Sequence, residues 1–166
     1  EIPFFTVRGV VPPAPLLPIR AIDETLQSVT VGALRPVKGT LKAIEWAEAF
    51  NRSGLPLGLT IIGPVADAAY AEQVRARCQG HPNARWPGEV ASSQMPGIYG
   101  DCDFYWNFSA SEGAANAVLE AWSYGRPVAA HKAPGNIDVV APTPEEMGCL
   151  FTDDDEGFAK LRAWLM

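Results

Sequence analysis

The sequence predicts an α/β fold built on a doubly wound parallel sheet, and three observations carry that prediction. Short β-branched runs, "SVTVGAL" and "LGLTIIG", end in or contain glycine. That pattern suits strands covered on both faces. Between them, "KGTLKAIEWAEAF" sets Leu41, Ile44, Ala47 and Phe50 on one helical face, as an amphipathic helix requires. Strand-like and helix-like segments then keep alternating to the end of the chain, which implies parallel strands joined by right-handed crossovers.

Each element follows in order. "FFTVRGVVPPAPLLPIR" starts like a strand, then runs into Pro12, Pro13, Pro15 and Pro18. Proline fixes its own backbone and removes donors, so this segment reads as an extended connector. Residues 1–27 are therefore assigned to a connector and first strand, and residues 28–166 to the folded domain. After the two strands and the helix between them, "DAAYAEQVRARC" reads as a helix and "DFYWNFS" as a buried strand. "NAVLEAWSY" reads as a helix closed by Gly125 at its C′ position. "RPVAA" and "GCLF" are the last strands, and "DEGFAKLRAWLM" is a terminal helix.

The bulk properties narrow the function. With 166 residues, 48% of them hydrophobic, the chain is long enough to bury a full core as one domain. A net charge of −6 argues against nucleic acid as partner, because phosphate backbones call for a basic stripe. A small anionic ligand needs only local positive groups. Cys78, Cys102 and Cys149 are odd in number and widely spaced, and read as reduced thiols of a cytoplasmic protein. His81 and His131 stand fifty positions apart with no patterned third ligand, so no metal site is expected. The apolar runs are too short and interrupted for a transmembrane segment, and the opening residues do not read as a signal peptide.

In such a sheet, ligands bind outside the carboxyl ends of the strands, and three loops there are chemically loaded: "GALRPVKG", "GPVADA" and "SASEGAAN". A helix starting near Ala114 to Asn116 would aim unpaired N–H groups at the crevice. The run Gly113, Ala114, Ala115 leaves room for a ligand to approach them. Glu112 and Glu120 could accept hydroxyl groups of a sugar or ribose, and Lys38 could meet phosphates. The set describes a cradle for a sugar joined to a nucleoside diphosphate. Plainer roles stand beside these: Glu112 as a helix-dipole charge, Glu120 as a solvated surface residue, Lys38 as a charge at a helix start. Neither the G-x-G-x-x-G fingerprint nor a P-loop is present, since Gly32 and Gly39 are seven positions apart.

The ordered motifs support a resemblance. The K-G loop, "LTIIG", "PGEV" before a helix, "CDFYWNFSASEG", the E-x7-E pair of Glu112 and Glu120, "GRPVAA" and "GNIDVV" together resemble the C-terminal, donor-binding domain of GT-B glycosyltransferases, in particular the retaining family 4 (group 1). The likeness runs from "VGALRPVKG" to "GCLFTDDDEGFAKL" and implies a Rossmann-like domain, one half of a GT-B enzyme.

The resemblance implies roles position by position. Lys38 would hold the donor diphosphate, in the loop that starts at Gly32, and Glu112 would contact the transferred sugar as the catalytic-site glutamate. Glu120 would bind the ribose hydroxyls. Backbone around Gly113, Ala114, Ala115 and Asn116 would face sugar and phosphates, and Gly88 to Val90 would hold the nucleobase edge. Ala33 stands where the family carries a phosphate-binding Arg. Arg35, two residues on, is the candidate replacement, although two positions along one loop are expected to point differently. The implied donor is a UDP- or GDP-linked sugar, with no further cofactor and no obligatory metal. The implied reaction is retaining transfer to a glycan, lipid or small-molecule acceptor. The acceptor site would belong to an N-terminal domain, so these residues alone are expected to be inactive. The enzyme is expected in the cytoplasm, at most peripheral to a membrane. A non-catalytic nucleotide-sugar binding module, or an epimerase or hydrolase of the same architecture, are the alternatives.

Overall fold

A computed structural model of the chain describes residues 25–112 and 116–166. The proline-rich segment of the connector therefore lies outside the described residues, as do Gly113, Ala114 and Ala115.

Six strands form one sheet: β1 (Leu26–Val31), β2 (Leu57–Ile62), β3 (Ala84–Gly88), β4 (Phe104–Asn107), β5 (Val128–His131) and β6 (Gly148–Phe151). Their order across the sheet is β3-β2-β1-β4-β5-β6, and every neighbouring pair is parallel. The helices are α1 (Thr40–Arg52), α2 (Ala68–Gly80), α3 (Met95–Gly100), α4 (Asn116–Ser123), α5 (Pro134–Val140) and α6 (Asp155–Leu165). The doubly wound, Rossmann-like α/β sheet read from the sequence is the fold observed. β1 starts at Leu26, two residues before the expected domain boundary, and ends at Val31 rather than Leu34.

The sheet is covered on both faces, which is why β2 is buried at every position. β4 makes the division visible. Phe104 and Trp106 pack into the cluster with Ile44, Phe50, Val74 and Leu161 of α1, α2 and α6. Tyr105 packs on the other side with Tyr99, Val118 and Val140 of α3, α4 and α5. Alternate residues of a strand point to opposite faces, so one tetrapeptide serves both layers. Trp46 extends the apolar face of α1 beyond the expected four residues, with its ring 5.0 Å from Phe151 and 5.4 Å from Phe158.

Local chemistry starts and stops the helices. The Asp67 carboxylate accepts a hydrogen bond from the Tyr70 N–H at 2.9 Å and caps α2. Asp154 does the same for α6 through the Gly157 N–H at 2.8 Å. α4 stops as expected. Gly125 has φ 73°, its N–H donates to Trp122 O, and the Arg126 N–H donates to Ala121 O, both at 2.9 Å. That is the paired closure of a Schellman motif.

β3 and α5 differ from expectation, since their sequences do not stand apart from loop, whereas the helix expected after "PGEV" is α3. β3 is an edge strand carrying Pro87 and Gly88, a location that tolerates proline. α3 and α5 are short, and each has a proline in its first turn.

Candidate donor-binding site

Strand order reverses between β1 and β4, so the loops that follow them leave opposite ways and open a crevice at the carboxyl edge. The first loop, residues 32–39, ends in a single 3-10 turn, Pro36–Lys38. Gly39 then enters α1 at φ 65°, where an added Cβ would lie 2.4 Å from Phe108 O. Only glycine fits there, for conformation and for space alike. The close approach ties the first loop to the chain leaving β4, and the Ala110 N–H reinforces it by donating to Val37 O at 2.9 Å.

These restraints bring Lys38 and Glu112 together. The Lys38 stem runs across Gly32, whose Cβ position is 3.6 Å from Lys38 Cδ and Cε. Lys38 Nζ donates to Glu112 Oε1 at 2.8 Å and to Oε2 at 2.9 Å. The two side chains are only 20% and 11% exposed. On the other side, the Cβ position of Gly135 in α5 falls 2.1 Å from Glu112 O, so a side chain there would displace the loop. Lys38, expected to meet phosphates, thus has its ammonium engaged by Glu112 in this structure.

Glu120 projects from α4 and accepts a hydrogen bond from the Tyr99 hydroxyl at 3.3 Å. Tyr99 is fully buried and its ring stacks on Tyr124, centroids 5.0 Å apart. Burial raises its pKa strongly, with Tyr105 and Glu120 adding to the shift, so the hydroxyl stays a proton donor. Tyr105 is buried on the same face of the sheet as Tyr99. Burial raises its pKa first and the charge of Glu112 next, with Glu120 contributing as well. Its hydroxyl donates to Val31 O at 3.5 Å.

The remaining expected residues are distributed along the same edge. Asn116 is exposed at the first position of α4. Gly88 closes β3 with φ 98°, and nothing lies within 4 Å of its Cβ position; Val90 packs against the cluster that contains Met95 and Tyr99. Arg35 is exposed and its backbone extended, φ −156° and ψ 154°. Leu34 forms a bridge to Val65 and is fully buried. Larger, open grooves lie elsewhere, one against Arg75, Cys78 and Trp86, another against Leu26, Phe104 and Trp164. Neither joins a cation to carboxylates.

Tyr99 and Tyr105 are the site residues the sequence reading missed. Tyr105 was visible only as one apolar residue of "DFYWNFS", and Tyr99 sits in a segment whose Pro96, Gly97 and Gly100 blur its helical period. The signal that would find Tyr105 is strand alternation, which sends it to the face opposite Phe104 and Trp106.

A six-stranded parallel sheet whose order reverses between β1 and β4, with helices on both faces, defines a Rossmann-like α/β domain. The chain belongs to the family described as "Glycosyl transferases group 1", whose model matches residues 26–166. It is 29% identical over 138 residues to glycosyltransferase 1 domain-containing protein 1 of Xenopus tropicalis, covering 83% of this chain and 39% of that protein. The fold is similar to that of the lipopolysaccharide outer core galactosyltransferase WaaB in its apo form, with TM-score 0.76 and 22% identity, over 93% of this chain and 44% of that one. It is also similar to HepE of Anabaena in complex with UDP and glucose, with TM-score 0.68 and 20% identity, over 83% of this chain and 38% of that one. The fold is one half of the GT-B architecture, and the chain spans less than half the length of these proteins. Among the described residues, no helix is long and apolar enough to cross a membrane.

Proposed function

We propose that the chain is the donor-binding domain of a retaining glycosyltransferase of family 4, taking a UDP- or GDP-linked sugar. The observation that carries this reading is the pairing of Lys38 with Glu112 across the switch point, with Glu120 on the helix α4 that follows. In the proposal, Glu120 accepts the ribose hydroxyls, Glu112 contacts the sugar, and Lys38 with the backbone at Asn116 meets the diphosphate. Gly88 to Val90 borders the base. As the glycosidic bond breaks, the departing diphosphate gains negative charge. A fixed cation and oriented N–H groups would stabilise that charge more in the transition state than in the bound donor. Supporting the nucleotide part is the similar fold of HepE, which holds UDP and glucose. The acceptor, a glycan, lipid or small molecule, would be met by residues outside this domain.

Thermal denaturation tests the reading. A ligand that binds only the native state raises the melting temperature with concentration. UDP-glucose or GDP-mannose at millimolar concentration is expected to do so. Glu120→Gln should weaken the ribonucleotide by about 1.5–3 kcal/mol, the range for hydrogen bonds to charged groups, and should scarcely affect a 2′-deoxy analogue. No stabilisation by any common sugar nucleotide refutes the proposal. Equal losses for both ligands would remove Glu120 from the ribose site.

A further inference from the structure

The pairing of Lys38 with Glu112 has a chemical consequence for the ligand. Lys42 with Glu45 and Asp153 is a surface ion pair, with side chains 36–54% exposed, and such pairs contribute little. The Lys38–Glu112 pair is different in three respects. It is bidentate at 2.8 Å and 2.9 Å. It is mostly shielded from solvent. It also bridges the two loops that flank the switch point, 74 residues apart in sequence. Gly39 against Phe108 and Gly135 against Glu112 bring the backbone into close contact on both sides of the pair.

We infer that Glu112 sets the preference of the site for a sugar-bearing donor over the bare nucleoside diphosphate, by holding the Lys38 ammonium and by repelling an unesterified terminal phosphate. The inference rests on the proposed nucleotide-sugar site. A diphosphate that reaches Lys38 must arrive beside the carboxylate that already grips it. In a sugar nucleotide the terminal phosphate is a diester-like group with one negative charge, and its sugar stands between phosphate and Glu112, offering hydroxyl donors to the carboxylate. In the free diphosphate that phosphate is a monoester-like end, whose second ionisation near pH 6 adds most of another charge at neutral pH. The extra charge faces Glu112 with no hydroxyl between them. The carboxylate therefore favours the donor and disfavours the spent nucleotide, which promotes product release from the same cradle.

Calorimetric titration of the whole chain with UDP-glucose, UDP and inorganic pyrophosphate tests this in the wild type, Glu112→Gln and the double variant Lys38→Met with Glu112→Gln. Glu112→Ala serves as a second variant should Gln perturb folding. Expected is a gain of roughly tenfold in UDP and pyrophosphate affinity on neutralising Glu112, the size of a 1.4 kcal/mol change. UDP-glucose should not gain, and Lys38→Met should erase the increase. UDP and pyrophosphate affinities that stay level or fall in Glu112→Gln overturn the inference, and if the wild type still binds UDP-glucose the functional reading survives. A Lys38-dependent gain for pyrophosphate in a protein that binds no sugar nucleotide supports the ion-pair mechanism and refutes the functional reading. Absence of binding by every variant refutes both.

Discussion

Arg35 is exposed in the first loop, two residues beyond Ala33, while Leu34 between them is committed to the core and to its bridge with Val65. If the proposed donor site is right, the Arg35 guanidinium is the group in this loop that can supply a cation where Ala33 offers none. Arg binds phosphate through two parallel N–H donors. Arg35→Ala is therefore expected to weaken UDP binding by about 1.5–3 kcal/mol, and Ala33→Arg to add little, as measured by calorimetry. If Arg35→Ala changes nothing, the first loop holds the diphosphate through Lys38 alone. At this scale the sequence was partly legible. Glu112, Glu120 and Lys38 stood out through spacing and residue type. Their partners did not, since the pairing of Lys38 with Glu112 and of Tyr99 with Glu120 depends on contacts between elements 74 and 21 positions apart.

Elements with a strong period were legible, and those with a weak one were not. α1 and β2 declare themselves by unbroken apolar spacing, and α4 by its apolar stripe and Gly125. β3 alternates exposed Arg85 and Pro87 with half-buried Trp86, a pattern that proline and glycine blur. α5 begins on Pro134 and Gly135 and spans two turns, too short for a period to emerge. Yet Gly135 is where α5 receives the Glu112 backbone, so an element hidden in the sequence positions a site residue. The junction of the first loop with α1 is the element-scale test. Gly39→Ala must place a side chain at positive φ and 2.4 Å from Phe108 O, and is expected to cost roughly 1–3 kcal/mol or more. Gly80→Ala is the control. Nothing lies within 4 Å of its Cβ position at the end of α2, and the loss of backbone freedom in the unfolded chain should stabilise by about 0.4–1 kcal/mol. Urea denaturation of both variants measures the contrast. Equal small effects would mean that the contact between Gly39 and Phe108 does not hold the loop in place.

Over the described residues the molecule is a parallel sheet with an apolar cluster on each face and with Lys38, Glu112 and Glu120 carried by the loops and helix at its carboxyl edge. Fold class was legible because alternation of strand and helix is a global pattern that survives two missed elements, β3 and α5. The edge was chosen because such sheets bind ligands beyond their strand ends. What composition and spacing left open was whether Lys38 and Glu112 meet, and the first and third loops meet through the contact of Gly39 with Phe108 and the hydrogen bond from Ala110 to Val37. The central claim is that one nucleotide-sugar site lies at this edge. Amide chemical shifts of the isotopically labelled chain, recorded during titration with UDP-glucose, test it most directly. The account predicts saturable changes concentrated in residues 32–39, 88–90 and 112–120, with the opposite edge near Leu26, Pro127 and Trp164 unaffected. Changes centred on that opposite edge or on the groove at Arg75 and Trp86, or no saturable change at all, would contradict it.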